Sequence, residues 1–182
     1  MPNDHSTFNT HLMKFYLSFP LIILLAFVLK SCTISYKFNG ASIDYSKTRT
    51  IGISDFPNNA ELVHPPLANE FSEGLRDIYS RQTRLQLLKS GGDLSIEGEI
   101  TGYTITPMAI AADSYSAETK LTLTVQVRFT NNVNPEESFE QSFSANQIFD
   151  SNLMITDVQD ELCKTMIQEI TESIYNATVA KW

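Results

Sequence analysis

Residues 120–130, Lys-Leu-Thr-Leu-Thr-Val-Gln-Val-Arg-Phe-Thr, alternate without a break between apolar and polar side chains. A strand sends successive side chains to opposite faces. Leu121, Leu123, Val125, Val127 and Phe129 therefore share one side, and Thr122, Thr124, Gln126, Arg128 and Thr130 share the other. Alternation this regular marks a sheet that is covered on one face and wet on the other. The rest of the fold follows from asking what covers the apolar face.

The neighbouring segments extend the sheet. Downstream, Asn131–Glu137 (Asn-Asn-Val-Asn-Pro-Glu-Glu) is turn-forming, and Ser138–Ala145 returns with Phe139 and Phe143 on the covered side. Upstream, Asp93–Ile110 alternates through Leu94, Ile96 and Ile100, then shifts phase at Gly102-Tyr103, as a β-bulge would make it do. Earlier still, Thr50–Phe56 reads as a strand with Ile51 and Ile53 on one face, ended by Pro57-Asn58-Asn59.

Two stretches carry the helical period instead. After Pro65-Pro66, Leu67, Phe71, Leu75 and Ile78 form one stripe that fades near Arg81–Thr83. Gly74 weakens this helix by about 1 kcal/mol relative to Ala, and is read as permitting close packing on the sheet. Leu85, Leu87 and Leu88 then run into a Gly91-Gly92 turn. From about Thr156 to Val179, Val158, Leu162, Met166, Ile170 and Ile174 make a row at four-residue spacing, broadened by Cys163, Ile167 and Ala177. Thr156 and Gln159 have capping-box spacing at its start. The order strand, helix, three strands, helix predicts an α+β fold, a two-layer sandwich with both helices on one face of a mixed sheet of about four strands (β-α-β-β-β-α).

The amino-terminal part belongs to a different regime. Lys14 opens an apolar run, Phe15–Leu29, that is shorter than the roughly 20 residues of a bilayer span and suits the core of a secretory signal. Ser31-Cys32 at its end resembles the lipobox junction of bacterial lipoproteins, with Lys30 standing where a small residue is usual. That resemblance implies a signal over residues 1–31, its cleavage before Cys32, and acylation of Cys32; the alternative is an uncleaved anchor helix. Each buried methylene adds about 0.8 kcal/mol, so two or three acyl chains hold a protein on its membrane. A compact signal could also begin at Met13. Thr33–Ser46, with Ile34, Tyr36 and Phe38 alternating before Asn39-Gly40, reads as a short strand or a tether.

Residues 32–182 make one domain with eleven Lys and Arg against twenty Asp and Glu. That acidic balance disfavours nucleic acid, whose binding needs dense cation contacts to phosphate. With Cys32 given to lipid, Cys163 has no disulfide partner and reads as a small core residue. His64 is the one histidine of this part; beside two prolines in a turn it is expected to face solvent. Metal spacing is missing, as are nucleophile motifs and a phosphate loop, so no metal, no cofactor and no enzyme activity are expected. Glu97-Gly98-Glu99 is expected to send its carboxylates to opposite faces, which would keep them from acting as an acid–base pair.

Several phrases, taken in order, resemble the LptE family of lipopolysaccharide-assembly lipoproteins in its Bacteroidetes form. They are Ser31-Cys32, Tyr36–Ile43, Glu97–Tyr103 with Pro107, Lys120–Val125 through Asn131-Asn132, Ser138–Ser144, and the last helix ending near Trp182. The resemblance spans residues 32–182. It implies a lipid-anchored protein on the periplasmic side of the outer membrane that plugs and supports the β-barrel LptD and assists lipopolysaccharide delivery to the outer leaflet, without catalysis. On this reading Thr122, Thr124, Gln126 and Arg128 are barrel-facing, since hydrogen-bonding side chains suit a wet interface. Arg76, Arg81, Arg84 and Lys89, the densest cations, are candidates for direct lipopolysaccharide contact. Their alternative is a solvated helix end with cations favourably placed against the dipole. Rival readings are a periplasmic lipid carrier, which should need large apolar residues on both sheet faces, and a secretin-pilot scaffold.

Overall fold

The computed structural model describes residues 43–108 and 117–179. The signal with its Met13 start, the Ser31-Cys32 junction, the Ile34–Phe38 strand or tether and the chain end at Trp182 lie outside the described residues.

The sheet has five strands. β1 (Thr50–Ile53) leads into α1 (Leu67–Gln82) and β2 (Gln86–Leu88); then come β3 (Leu94–Pro107), β4 (Glu118–Asn131) and β5 (Phe139–Asp150), and the chain closes with α2 (Ile155–Thr178). Across the sheet the order is β2-β1-β3-β4-β5. β1 is parallel to both of its neighbours, and β3–β4 and β4–β5 are antiparallel. The sheet is therefore mixed and the helices lie on one side, as the alternation requires. β2 is the strand beyond the expected four. Its three residues are too few to show a period, and it forms only because α1 returns the chain alongside β1.

The covered face is packed as the pattern dictates. Leu121, Leu123, Val125, Val127 and Phe129 are all buried, against Ile51, Ile53, Ile96 and Ile100 from the neighbouring strands. α1 contributes Leu67, Phe71, Leu75, Ile78 and Tyr79; α2 contributes Cys163, Met166, Ile167, Ile170 and Ile174. Each large apolar side chain so buried stabilises the fold by roughly 1.5–3 kcal/mol before entropy is subtracted. Val158 and Leu162, in the first two turns of α2, are only half-buried. The bulge falls at Thr101, where pairing steps from Ile100↔Val125 to Gly102↔Thr124 and turns Tyr103 into the core.

Between β2 and β3 the chain crosses over β1 without a helix. Both neighbours of β1 run parallel to it, so Lys89–Asp93 has to pass over its outer side. It passes so close that a Cβ on Gly52 would lie 2.2 Å from the Gly91 carbonyl oxygen. Gly91 and Gly92 make the turn with φ of 69° and 100°, a region that favours glycine. Asp93 fastens the crossover: its Oδ2 accepts from the Arg49 and Thr50 amides at 2.8 and 3.0 Å and from Thr50 Oγ1 at 3.0 Å. Thr50 Oγ1 in turn accepts from the Asp93 amide at 2.9 Å.

Three local expectations are corrected. Gly74 faces α2, its missing Cβ lying 3.0 Å from Ile167 Cγ2, so its smallness serves helix–helix and not helix–sheet packing. α2 starts at Ile155 behind Met154 with no side-chain cap, and Thr156 Oγ1 points to Asp157 Oδ1 instead of forming a capping box. β1 ends at Ile53, and Phe56 leaves the strand to pack against Phe71 at 5.1 Å between rings.

Candidate functional site

The outer face of β3, β4 and β5 is built in rows across three strands. Register places Glu97, Arg128 and Glu140 in one row; Glu99, Gln126 and Ser142 in the next; then Gly102, Thr124 and Ser144; then Thr104, Thr122 and Asn146. Thr122, Thr124, Gln126 and Arg128 thus form the central column of a hydrogen-bonding surface, a consequence of the period of two in β4. Glu97 and Glu99 both stand on this face, since residues two apart along a strand share a side. The expectation of opposite faces is wrong for that reason.

Hydrogen bonds knit the rows together. Arg128 Nε donates to Glu140 Oε2 at 3.0 Å and Gln126 Nε2 donates to Glu140 Oε1 at 3.3 Å. Ser142 Oγ donates to Gln126 Oε1, and Thr124 Oγ1 donates to Ser144 Oγ at 3.4 Å. The bonds from Arg128 and Gln126, with the Arg128 charge, hold the Glu140 carboxyl below its ordinary range. Thr124 stands between a glycine and a serine, its Cβ 3.2 Å from where a Cβ on Gly102 would lie. Rows run from charged at Arg128 to neutral and hydroxyl-rich at Thr122.

Large apolar side chains gather at one end of the same strands, where β3 and β5 finish and β4 begins. Ile105, Met108, Ile148, Leu153 and Met154 are exposed there. They do not share one face: register puts Ile105 on the side of buried Leu121 and Ile148 on the outer side with Lys120.

Of the four candidate cations only Arg76 and Lys89 come together, at Asp55. Arg76 turns towards the segment after β1, pairing with Asp55 and, at 2.9 Å, with Glu73. Lys89 acts on the same Asp55 carboxylate from the crossover. Arg81 pairs with Asp77 at 2.7 Å and lines a groove between α1 and α2. Arg84 is exposed beyond the helix end, with its amide 3.5 Å from Tyr45 Oη. The groove holds about 730 Å³ and is walled by Glu70, Glu73, Asp77, Asp160, Glu161 and Glu172 over a floor that includes Gly74 and Ile167.

A buried polar cluster was not expected from the sequence. His64 is buried and not solvent-facing: its ring stacks on Tyr103 at 6.1 Å and 17°. Its Nε2 lies 3.3 Å from Asp160 Oδ1, an ion-pair approach that is not aligned as a hydrogen bond. Cys163 Sγ donates to Tyr103 Oη at 3.6 Å. Burial, ahead of every other influence, raises both the Cys163 thiol and the Tyr103 hydroxyl. A thiol kept protonated in this way is inert packing, as its place in the α2 stripe suggested. Among the described residues no three His, Cys, Asp or Glu side chains stand as metal ligands would.

The sequence model for LptE, described as lipopolysaccharide assembly, matches residues 48–178, from the entry to β1 to the last residue of α2. The chain belongs to the LptE family. No curated protein sequence matches it. Among solved structures, the fold is similar to a minor lipoprotein of Acinetobacter baumannii at 13% identity and TM-score 0.46, covering 69% of this chain and 88% of that one. It is similar to lipoprotein B of Nitrosomonas europaea at 16% and 0.47, over 70% and 79%. It is also similar to the rare lipoprotein B of Shewanella oneidensis at 10% and 0.49, over 71% and 92%. The family is one of lipopolysaccharide assembly and is non-enzymatic.

Proposed function

We propose that this LptE-family protein plugs and supports an LptD-type β-barrel in the outer membrane and assists passage of lipopolysaccharide to the outer leaflet. Residues 1–31 act as its signal, and Cys32, acylated after cleavage, anchors residues 32–182 on the periplasmic side. The observation that carries the reading is the outer sheet face. Thr122, Thr124, Gln126 and Arg128 present hydroxyl, amide and guanidinium groups in one plane, with their helices all on the other side. A barrel lumen is polar and hydrated, and interfaces with such lumens are wet and hydrogen-bonded.

The lipid-carrier alternative has no support in this sheet: its apolar side chains are spent on α1 and α2, and its other face is polar. Direct lipopolysaccharide contact by Arg76, Arg81, Arg84 and Lys89 is the weaker part of the reading. Arg76 and Arg81 already pair with carboxylates and Lys89 acts on Asp55, so anionic sugar phosphates would have to compete with Asp55, Glu73 and Asp77.

Affinity purification of the full chain from detergent-solubilised outer membranes tests the proposal. The wild-type chain should bring down an LptD-type barrel. Thr124→Trp, which raises a bulky ring on the outer face while leaving the core untouched, should reduce that recovery with unchanged thermal unfolding. Recovery of a secretin or of lipid alone would overturn the reading, and undiminished barrel recovery by Thr124→Trp would remove this face from it.

A further inference from the structure

His64 takes no part in the outer sheet face. It sits in the loop between β1 and α1, directly after Leu62 and Val63, which are both exposed. Its carbonyl oxygen accepts from the Leu67 amide at 3.1 Å, where α1 begins. The imidazole is 5% exposed, and its Nε2 has no hydrogen-bond partner. A buried polar atom without a partner is costly, and in a native fold it calls for an explanation. Asp160 supplies one. Its Oδ1 lies 3.3 Å from that nitrogen, and its side chain is 84% exposed, so it can turn to improve the contact. Neutral imidazole gains little from such an approach. Imidazolium gains a charge partner and a donor aimed at a carboxylate.

The surroundings favour the same form. From β3, Tyr103 lays its ring along the imidazole at 6.1 Å, and the face of an aromatic ring is negative. From α2 come Asp160, Cys163 and Lys164, from α1 Glu70, and the loop itself carries Glu61. Burial holds the Tyr103 hydroxyl and the Cys163 thiol protonated, so neither adds a charge. Glu70 and Asp160 both act on that thiol, which places their charges about the cluster. Lys164 stands on the same groove wall as Asp160 and is the cation that opposes a proton here. Against it are the carboxylates of Glu61, Glu70 and Asp160.

We propose that His64 and Asp160 form a proton-operated latch. In acid, an imidazolium at His64 draws the Asp160 carboxylate into an aligned hydrogen bond and ties the loop ahead of α1 to the first half of α2. The tie is present in acid and is lost as pH rises through the histidine range. It holds the loop that carries Leu62 and Val63, and so sets how firmly those exposed apolar side chains are presented. No residue of the outer face is involved, and the latch stands or falls separately from barrel docking.

Hydrogen exchange of the full chain in detergent tests it, read at the Leu67 amide, which must leave the His64 carbonyl to exchange. After correction for the intrinsic effect of pH on exchange, protection should be about fivefold greater at about pH 5.5 than at about pH 7.5. That window lies above the range in which carboxylates such as Asp93 titrate, so the two effects separate. His64→Phe, which keeps a ring against Tyr103 without a titrating nitrogen, should abolish the acid gain. Asp160→Asn, a surface change that leaves the core intact, should abolish it as well and decides the matter even if His64→Phe unfolds. Ring-nitrogen NMR should show His64 taking a proton across the same window while its contact with Tyr103 persists. An acid gain that survives Asp160→Asn would overturn the proposal. So would a loss of protection in acid, a His64 ring that stays neutral down to about pH 5, or an imidazolium that leaves Tyr103.

Discussion

Gly52 shows how one residue can decide a path. Its Cβ would fall within 2.5 Å of Gly91 N as well as 2.2 Å from Gly91 O, and these are backbone atoms that cannot turn aside. Overpacking a tight site costs about 1–3 kcal/mol. Gly52→Ala should lose at least that in urea unfolding, whereas Gly74→Ala, set against the Ile167 side chain, should change stability far less. Asp93 is the second residue on which the crossover hangs. Hydrogen bonds from the Arg49 amide, Thr50 Oγ1 and the Thr50 amide, in that order of size, lower its carboxyl below the ordinary range. A depressed folded-state value gives stability that is present above the unfolded value of about 3.9 and is lost as pH falls through the folded one. Urea midpoints should therefore decline in acid, and Asp93→Asn should flatten the part of that decline due to this group. None of this was legible beforehand. Gly91-Gly92 announced a turn, but nothing local says that a turn passes over a particular residue forty positions earlier. His64 was missed for a similar reason: a turn histidine becomes buried only when a strand bulge turns Tyr103 to meet it.

Strand β4 was legible to the residue because both its faces obey one rule over eleven positions, and its apolar side is fully covered. Leu123, at the centre of that side, touches the core from mid-strand, so Leu123→Ala should cost about 2–5 kcal/mol in chemical denaturation. Helix α1 was equally legible, from Leu67 behind its two prolines to the fading stripe at Arg81. The hairpin between β4 and β5 forms as its composition suggested: Asn131 Oδ1 accepts from the Val133 and Asn134 amides at 2.9 and 2.8 Å, and Ser138 Oγ accepts from the Asn131 amide at 2.9 Å. Short or end-of-element features were not legible. β2 has too few residues for a period, and the first turn of α2 had capping spacing without capping geometry. Spacing supplies the residues of a cap, but the direction in which the chain enters the helix decides whether they are used.

At the scale of the whole molecule, the physical division is between a dry face spent on two helices and a wet face left open. The fold class, the sides of the sheet and the family were all readable, because each rests on many residues repeating one instruction. The outer-face column was readable as polar, yet its rows were not, since they depend on register across β3 and β5. The dispersal of Arg76, Arg81, Arg84 and Lys89 was also hidden: sequence proximity clusters all four, while the fold brings only Arg76 and Lys89 to one carboxylate, Asp55, and pairs Arg81 with Asp77.

The central claim is that the wet face, and not the helix face, meets the barrel. Photo-cross-linking of the full chain in cells tests it directly, with a benzophenone side chain placed at Gln126 on the sheet and, separately, at Ser173 on the exposed side of α2. The account predicts an adduct with an LptD-type barrel from Gln126 and little or none from Ser173. A barrel adduct from Ser173 with none from Gln126 would contradict it.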